Sequence, residues 1–246
     1  MRFDVISIFP QLILESFNFG ITGRALRDGL VDLKTWDIRE FSENRTKRVD
    51  DRPYSGGPGM LMQVEPLMNA INAAKKDSHE LSHVIYMSSQ GPRLTQDRIN
   101  KLSTLPHLII LAGRYEGIDE RVIENGVDEE ISIGDFVVSG GEIPALLLMD
   151  SITRELEGAL GDSRSNKQES FKDGLIEYPQ YSRPEKSSFG NVPPVLLGGD
   201  PKEINRWKLK YSLLKTLRNR PDLMAERDFS PLELELLNEI KDEDKY

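Results

Sequence analysis

Short apolar runs alternate with amphipathic stretches from the start of the chain to about residue 157. Residues 3–9 read as a buried strand, followed by a helix over Pro10–Phe19. Gly20–Gly29 contains a glycine-bounded turn and Arg24-Ala25-Leu26, and Val31–Asp37 reads as a second strand. Pro66–Lys76 places Leu67, Ile71 and Ala74 on one helical face. His83–Met87 and Leu108–Ala112 are strand candidates, separated by a short helix over Thr95–Leu102 with Asp97 in its first turn. Glu116–Asn125 should be helical with Gly126 as its stop, and Ile143–Glu157 helical with Leu146, Leu147, Met149, Ile152 and Leu156 apolar. Strands alternating with helices imply a parallel α/β sheet.

Two stretches break the pattern. Arg39–Gly59 has little apolar periodicity and is dense in charge and glycine, so it reads as a long loop. Loops of that length inside a compact domain are uncommon and are usually functional or disordered. Gly158–Gln168 is small, polar and charged, as an interdomain linker would be. Beyond it, helices are expected over Pro201–Arg220, where Ile204, Trp207, Tyr211 and Leu214 recur at helical spacing, and over Pro231–Lys241.

The segments 112–121 and 132–144 carry five glycines, Gly113, Gly117, Gly134, Gly140 and Gly141, each beside a charged or hydroxyl residue. The apolar runs Leu108–Ala112 and Phe136–Val138 end on this punctuation. Glycine lets backbone approach a ligand closely or take positive φ. Ser88–Pro92, Gly113–Gly117 and Ser132–Gly141 could converge beyond the strand ends on one adenosine-sized pocket, where open parallel sheets bind ligands. The alternative is three ordinary strand-to-helix turns. No Gly-x-Gly-x-x-Gly follows the first strand and no Gly-Lys-Ser/Thr closes a phosphate loop, which argues against a Rossmann dehydrogenase or a P-loop nucleotidase.

Composition narrows the class. The chain has 246 residues, 38% hydrophobic and 30% charged, enough for one large domain or two small ones. No apolar run approaches the roughly 20 residues that span a bilayer. Met1–Ile6 reads as a strand rather than a signal peptide. The lack of cysteine excludes disulfides and thiolate chemistry and fits the cytoplasm. His79, His83 and His107 are too scattered for an obvious metal cluster, and His79 and His83 read as surface residues. The net charge of −9 argues against nucleic acid, but its distribution does not: Lys202–Arg220 holds seven basic residues against one acidic, and from Asp222 onward nine acidic face three basic.

Several motifs together carry a resemblance. Gly113-Arg114-Tyr115-Glu116-Gly117-Ile118-Asp119-Glu120-Arg121, Ser132-Ile133-Gly134-Asp135 and Gly140-Gly141-Glu142 resemble the bacterial TrmD family. So do Val49–Tyr54, Gly56–Met60 and Tyr181-Ser182-Arg183-Pro184-Glu185, so the similarity runs from the first strand to the C-terminal helices. The family comprises tRNA (guanine-N1)-methyltransferases of the SPOUT type that act at position 37, beside the anticodon. The resemblance implies a trefoil-knotted, parallel-sheet α/β methyltransferase domain over 1–160, a flexible linker over 161–168 and a small, mainly helical tRNA-binding domain over 169–246. It also implies a cytoplasmic homodimer with composite active sites, without membrane association.

S-adenosylmethionine would be the methyl donor. Its contacts would involve Tyr86, Met87, Ser88, Gln90, Gly91, Gly113, Tyr115, Glu116, Ile133, Gly134, Asp135, Phe136, Val137, Val138, Gly140, Gly141 and Pro144. Ser89 stands where the family usually has proline. Guanine N1 carries a proton, so its methylation calls for a base and for stabilisation of charge growing on O6. By family position Glu169 would be the base, where aspartate is usual, and Arg154 would stabilise O6. The tRNA anticodon stem-loop would meet Asp50, Arg52, Ser170, Arg183 and Lys208, while Thr46 stands where histidine is common. Arg45, Lys47 and Arg48 suit phosphates, and Trp207 suits packing more than base stacking. The family depends on Mg2+, but no ligand cluster in the sequence locates an ion. An inactive RNA-binding module of the same fold and a knotted tRNA 2′-O-methyltransferase are the alternatives.

Overall fold

The structure is a computed structural model, and it describes residues 1–54, 56–160, 169–225 and 227–243. The chain divides into two compact units, Met1–Ser163 and Arg164–Tyr246. In chain order the first contains β1 (Arg2–Ser7), α1 (Pro10–Phe17), α2 (Gly20–Arg27), β2 (Asp32–Asp37), a 3-10 turn (Ile38–Phe41), β3 (Asp50–Asp51), β4 (Leu61–Met62) and α3 (Val64–Asp77). It continues with β5 (Ser82–Met87), α4 (Gln96–Leu102), β6 (His107–Leu111), α5 (Glu120–Gly126), β7 (Glu129–Ile131) and α6 (Glu142–Glu155).

The central sheet is parallel throughout, in the order β2-β1-β6-β5-β7. Successive strand side chains point to opposite faces, and both faces are buried. Phe3, Val5, Ile85, Met87, Leu108 and Ile110 join the core beneath α1, α2, α4 and α6. Ile6, Val84, Tyr86, Ile109 and Leu111 join the other core, beneath α3, α5 and the 3-10 turn. Two-sided burial explains why the strands read as nearly continuous apolar runs.

Two sequence expectations need correction, and one strand went unidentified. Gly20–Gly29 is a helix, not a turn: Gly20 (φ +59°) and Gly29 (φ +71°) bracket it, and Thr22 donates to the Phe17 carbonyl at 2.7 Å. The helix expected from Glu116 begins only at Glu120, because Tyr115 (φ +61°) and Gly117 (φ +118°) hold the preceding loop open and the Asp119 carboxylate caps the Arg121 amide at 3.0 Å. The apolar run Phe136–Val138 is irregular, and its residues are 57%, 90% and 41% exposed. The strand near it is β7, disguised by two glutamates; Glu129 faces His83 at 2.9 Å and Arg98.

Residues 39–59 are mostly irregular, as expected, and Asp50–Asp51 pair with Leu61–Met62 in a small hairpin. His79 is exposed, whereas His107 is fully buried against Asp4, 2.5 Å away. The segment 161–168 lies outside the described residues.

The second unit holds a hairpin of β8 (Lys186–Ser187) and β9 (Gly190–Asn191), then α7 (Pro194–Leu197), α8 (Pro201–Asn219), α9 (Pro221–Ala225) and α10 (Pro231–Glu243). Its core gathers Leu175, Leu213, Leu236 and Ile240 between α8 and α10. At the start of α10, the Ser230 amide donates to Glu233 at 2.7 Å and the Glu233 amide to the Ser230 hydroxyl at 3.3 Å, a capping box. Trp207 packs among Tyr178, Tyr181 and Tyr211, with the Tyr211 ring centroid 4.4 Å away.

Candidate active site

The carboxyl ends of three adjacent strands, β6, β5 and β7, feed three loops into one cleft of about 250 Å3. The first loop contributes Ser88–Gln90, the second Gly113–Gly117 and the third Ser132–Gly141, while Tyr86, Met87 and Pro144 complete the wall. Close backbone packing dictates the glycines. A Cβ on Gly113 would lie 2.8 Å from the Tyr86 ring, and one on Gly141 would lie 2.7 Å from the Ala112 Cα. The Gly141 amide donates to the Gly113 carbonyl at 2.8 Å, which stitches the second loop to the third. Burial, with help from the nearby Glu130 carboxylate, pushes the Tyr86 phenol above its ordinary pKa, so it faces the cleft as a neutral group.

The lining has a definite chemistry. Its one arginine, Arg114, is committed elsewhere: Nε donates to Glu142 at 2.8 Å and Nη1 to the Ser139 carbonyl at 3.1 Å. The carboxylate in the lining is Glu116. Around these lie backbone amides and carbonyls, hydroxyls and the exposed side chains of Phe136 and Val138. Such a wall suits a purine, a ribose and a cationic amino-acid end, but offers no uncommitted cation for a phosphate tail.

Of the residues expected to bind the donor, fifteen line the cleft and two do not. Asp135 points outward toward Arg93, 3.6 Å away, and Gly91 sits against the β7 backbone, where a Cβ would lie 2.6 Å from the Glu130 carbonyl carbon. Ser89, Arg114, Gly117, Ile131, Ser132 and Ser139 also line it. Gly117 and Ser132 belong to the same glycine-punctuated motifs that signalled their neighbours. Arg114 looks in sequence like another surface cation.

The β3–β4 hairpin abuts this cleft. The Glu116 amide donates to the Met60 carbonyl at 2.9 Å and the Met62 amide to the Gly117 carbonyl at 3.0 Å. A Cβ on Gly59 would meet the Glu116 side chain at 2.3 Å. Asp50, Arg52 and Glu116 are thereby held on neighbouring segments.

A family profile described as tRNA (guanine-1)-methyltransferase TrmD matches residues 1–226. The chain belongs to the TrmD family. Similar curated relatives span nearly its whole length. The tRNA (guanine-N(1)-)-methyltransferase of Methylococcus capsulatus is 50% identical over 243 residues, covering 99% of this chain and 97% of the relative. The proteins of that name from Shewanella sediminis and Dechloromonas aromatica are 49% and 50% identical, covering 98% and 100% of this chain and 99% and 98% of their own.

The other TrmD-like positions are divided between the two units. Arg154 occupies the last turn of α6. Pro144 lines the cleft ten residues earlier on that helix, so about 15 Å of helix axis separates the two at ~1.5 Å per residue. Glu169 and Ser170 belong to the second unit, where the Ser170 hydroxyl accepts from the Glu177 amide at 3.0 Å. Arg183 is exposed, and the Lys208 ammonium lies 4.6 Å over the Tyr178 ring. Among the described residues no group of three or more His, Asp and Glu side chains is placed to hold a metal ion, and no helix is long and apolar enough to cross a membrane.

Proposed function

We propose that this protein methylates N1 of guanosine at position 37 of tRNA, with S-adenosylmethionine as the donor. The observation that carries the proposal is the cleft: three glycine-punctuated loops on adjacent parallel strands, lined for a nucleoside with a cationic amino-acid end. Membership of the TrmD family supplies the reaction class.

When bound, S-adenosylmethionine supplies an electrophilic methyl group on a sulfonium. Backbone groups of 133–141 and Ser88–Gln90 would hold the nucleoside beside Phe136 and Val138, and Glu116 would draw the cationic end. Glu169 would accept the guanine N1 proton as N1 takes the methyl, the S–CH3 bond breaking to leave neutral S-adenosylhomocysteine, and Arg154 would offset the negative charge that builds on O6. Asp50, Arg52, Ser170, Arg183 and Lys208 contact the anticodon stem-loop, whose unpaired bases expose the edges that a duplex hides.

The active unit is a homodimer with composite sites. Two observations support it. The arginine side chain is far shorter than the roughly 15 Å of helix between Pro144 and Arg154, so Arg154 serves the cleft of the other copy more readily than its own. In addition, Leu12 on α1 and Ile143 and Leu147 on α6 stay exposed on helices packed against each other, an apolar patch that a partner copy would cover. The knotted first domain, the linker over 161–168 and the tRNA-binding second domain complete the proposal. The close passage of Gly141 over Ala112–Gly113 supports a chain crossing at the knot.

The test is methyl transfer from labelled S-adenosylmethionine to tRNA bearing guanosine or adenosine at position 37. Labelled 1-methylguanosine from the first and nothing from the second is expected. No incorporation, or methylated ribose with either base, would overturn the proposal.

A further inference from the structure

We infer that Glu142 is a positioning residue: through Arg114 it fixes the Ser139–Gly141 backbone in the shape that receives the donor's nucleoside. The inference rests on the donor cleft proposed above.

Glu142 stands in the first turn of α6 and is fully buried. It lines no part of the cleft. Its carboxylate accepts from the Ser7 hydroxyl at 2.7 Å, at the carboxyl end of β1, and from Arg114 Nε at 2.8 Å, just beyond β6. A buried ion pair adds little net stability, because desolvating two charges offsets their attraction; an apolar pair of similar volume does as well or better. What this pair supplies is geometry.

Arg114 carries that geometry to the cleft. Its Nη1 donates to the Ser139 carbonyl at 3.1 Å, and its guanidinium stacks on Phe9, 4.7 Å from the ring centre. Gly140 lies directly against it, since a Cβ there would sit 2.2 Å from Arg114 Nε. The far end is also anchored: the Ser7 hydroxyl accepts from the Phe9 amide at 2.8 Å. The end of β1, the loop after β6 and the loop before α6 are thus tied through one buried carboxylate. A planar fork that donates from different edges is what this tie requires. Lysine offers a point charge on a flexible stem and cannot hold Glu142 and the Ser139 carbonyl in the same arrangement.

The test compares Glu142→Gln, Arg114→Lys and the double variant with the unmodified full chain. Calorimetric titration gives the Kd for S-adenosylmethionine, hydrogen exchange reports the amides of residues 139–141, and thermal melting reports the fold. Each single variant is expected to raise Kd about 10-fold, the effect of weakening a charged hydrogen bond. Exchange at residues 139–141 should quicken, and the double variant should be little worse than either single one. For Glu142→Gln, kcat at saturating donor and tRNA should stay within about threefold, placing the defect in binding.

An unchanged Kd, additive effects, or a fall in melting temperature without faster exchange at residues 139–141 would overturn the inference. If Glu142→Gln does not fold, Arg114→Lys, whose side chain is 21% exposed, and Ser7→Ala decide on the same readouts. Failure of the unmodified protein to bind the donor counts against the cleft's proposed function instead. The exchange measurement still judges whether Glu142 fixes the loop.

Discussion

Gly141→Ala is the sharpest test of the cleft, because its effect comes from space alone. Gly141 has φ −79° and ψ −6°, a conformation open to any residue. Its added Cβ would nevertheless lie 2.7 Å from the Ala112 Cα and 2.8 Å from the Gly113 nitrogen. Both are backbone atoms and cannot swing aside. Ordinary contact begins near 3.4 Å, so the two segments must part by about 0.7 Å. Overpacking of this kind costs ~1–3 kcal/mol. Stretching the 2.8 Å Gly141–Gly113 hydrogen bond adds about 1 kcal/mol.

The total, roughly 2–4 kcal/mol, divides between folding and binding. If it falls on binding, the Kd for S-adenosylmethionine rises roughly 30- to 700-fold at ~1.4 kcal/mol per decade. If it falls on folding, each kcal/mol lowers the melting temperature by about 2–4 °C. Calorimetry and thermal melting on the same sample apportion it. Gly29→Ala is the control: it has φ +71° but open space around it, so it should cost about 1 kcal/mol of stability and leave donor affinity unchanged. A Gly141→Ala protein with Kd within threefold of the unmodified value and an unshifted melting temperature would refute the packing argument.

Other outcomes follow from the same geometry. Glu169→Gln should lower single-turnover methylation by ~10²–10⁴-fold with donor Kd unchanged, as loss of a general base does; equal turnover would remove Glu169 from that role. Leu147→Glu should shift sedimentation from dimer to monomer and abolish activity, and a dimer that survives would place the interface elsewhere. The Glu233 carboxyl is pushed up by burial, but Arg227 and the Ser230 amide outweigh this and hold it below its ordinary 4.5. Its contribution is therefore complete above about pH 4.5 and is lost as pH falls through the lower folded value. Glu233→Gln should flatten that acid limb in pH-dependent melting and cost about 1 kcal/mol at neutral pH; a limb as steep as before would count against the linkage.

What the sequence reveals follows from how each element is stabilised. β1, β5 and β6 are buried on both faces, so their apolar runs stand out. β7 is a three-residue edge strand whose first two side chains are glutamates, and no periodicity marks it. α2 is bracketed by glycines that in sequence look like turn residues; the helix survives because Ala25 and Thr22 are buried and Gly23 packs on the Asn18 carbonyl. Phe136 and Val138 belong to a short apolar run, yet they line the cleft and stay exposed. The motif pattern finds such residues where hydrophobicity misleads. Glu142 and Arg114 were legible only as parts of motifs, because their roles depend on a contact between residues 28 apart in the chain.

The ion pairs between α8 and α10 change what the basic helix can do. Arg206 holds Glu235 and Glu239, and Lys210 holds Glu239 and Glu243. A phosphate arriving at these cations must displace a carboxylate rather than a mobile counterion. Less ion release means less entropy gained from indiscriminate backbone contact. The acidic C-terminal helix would therefore compete with any RNA offered to α8, disfavouring indiscriminate backbone contact and leaving occupancy to ligands whose shape compensates for the exchange.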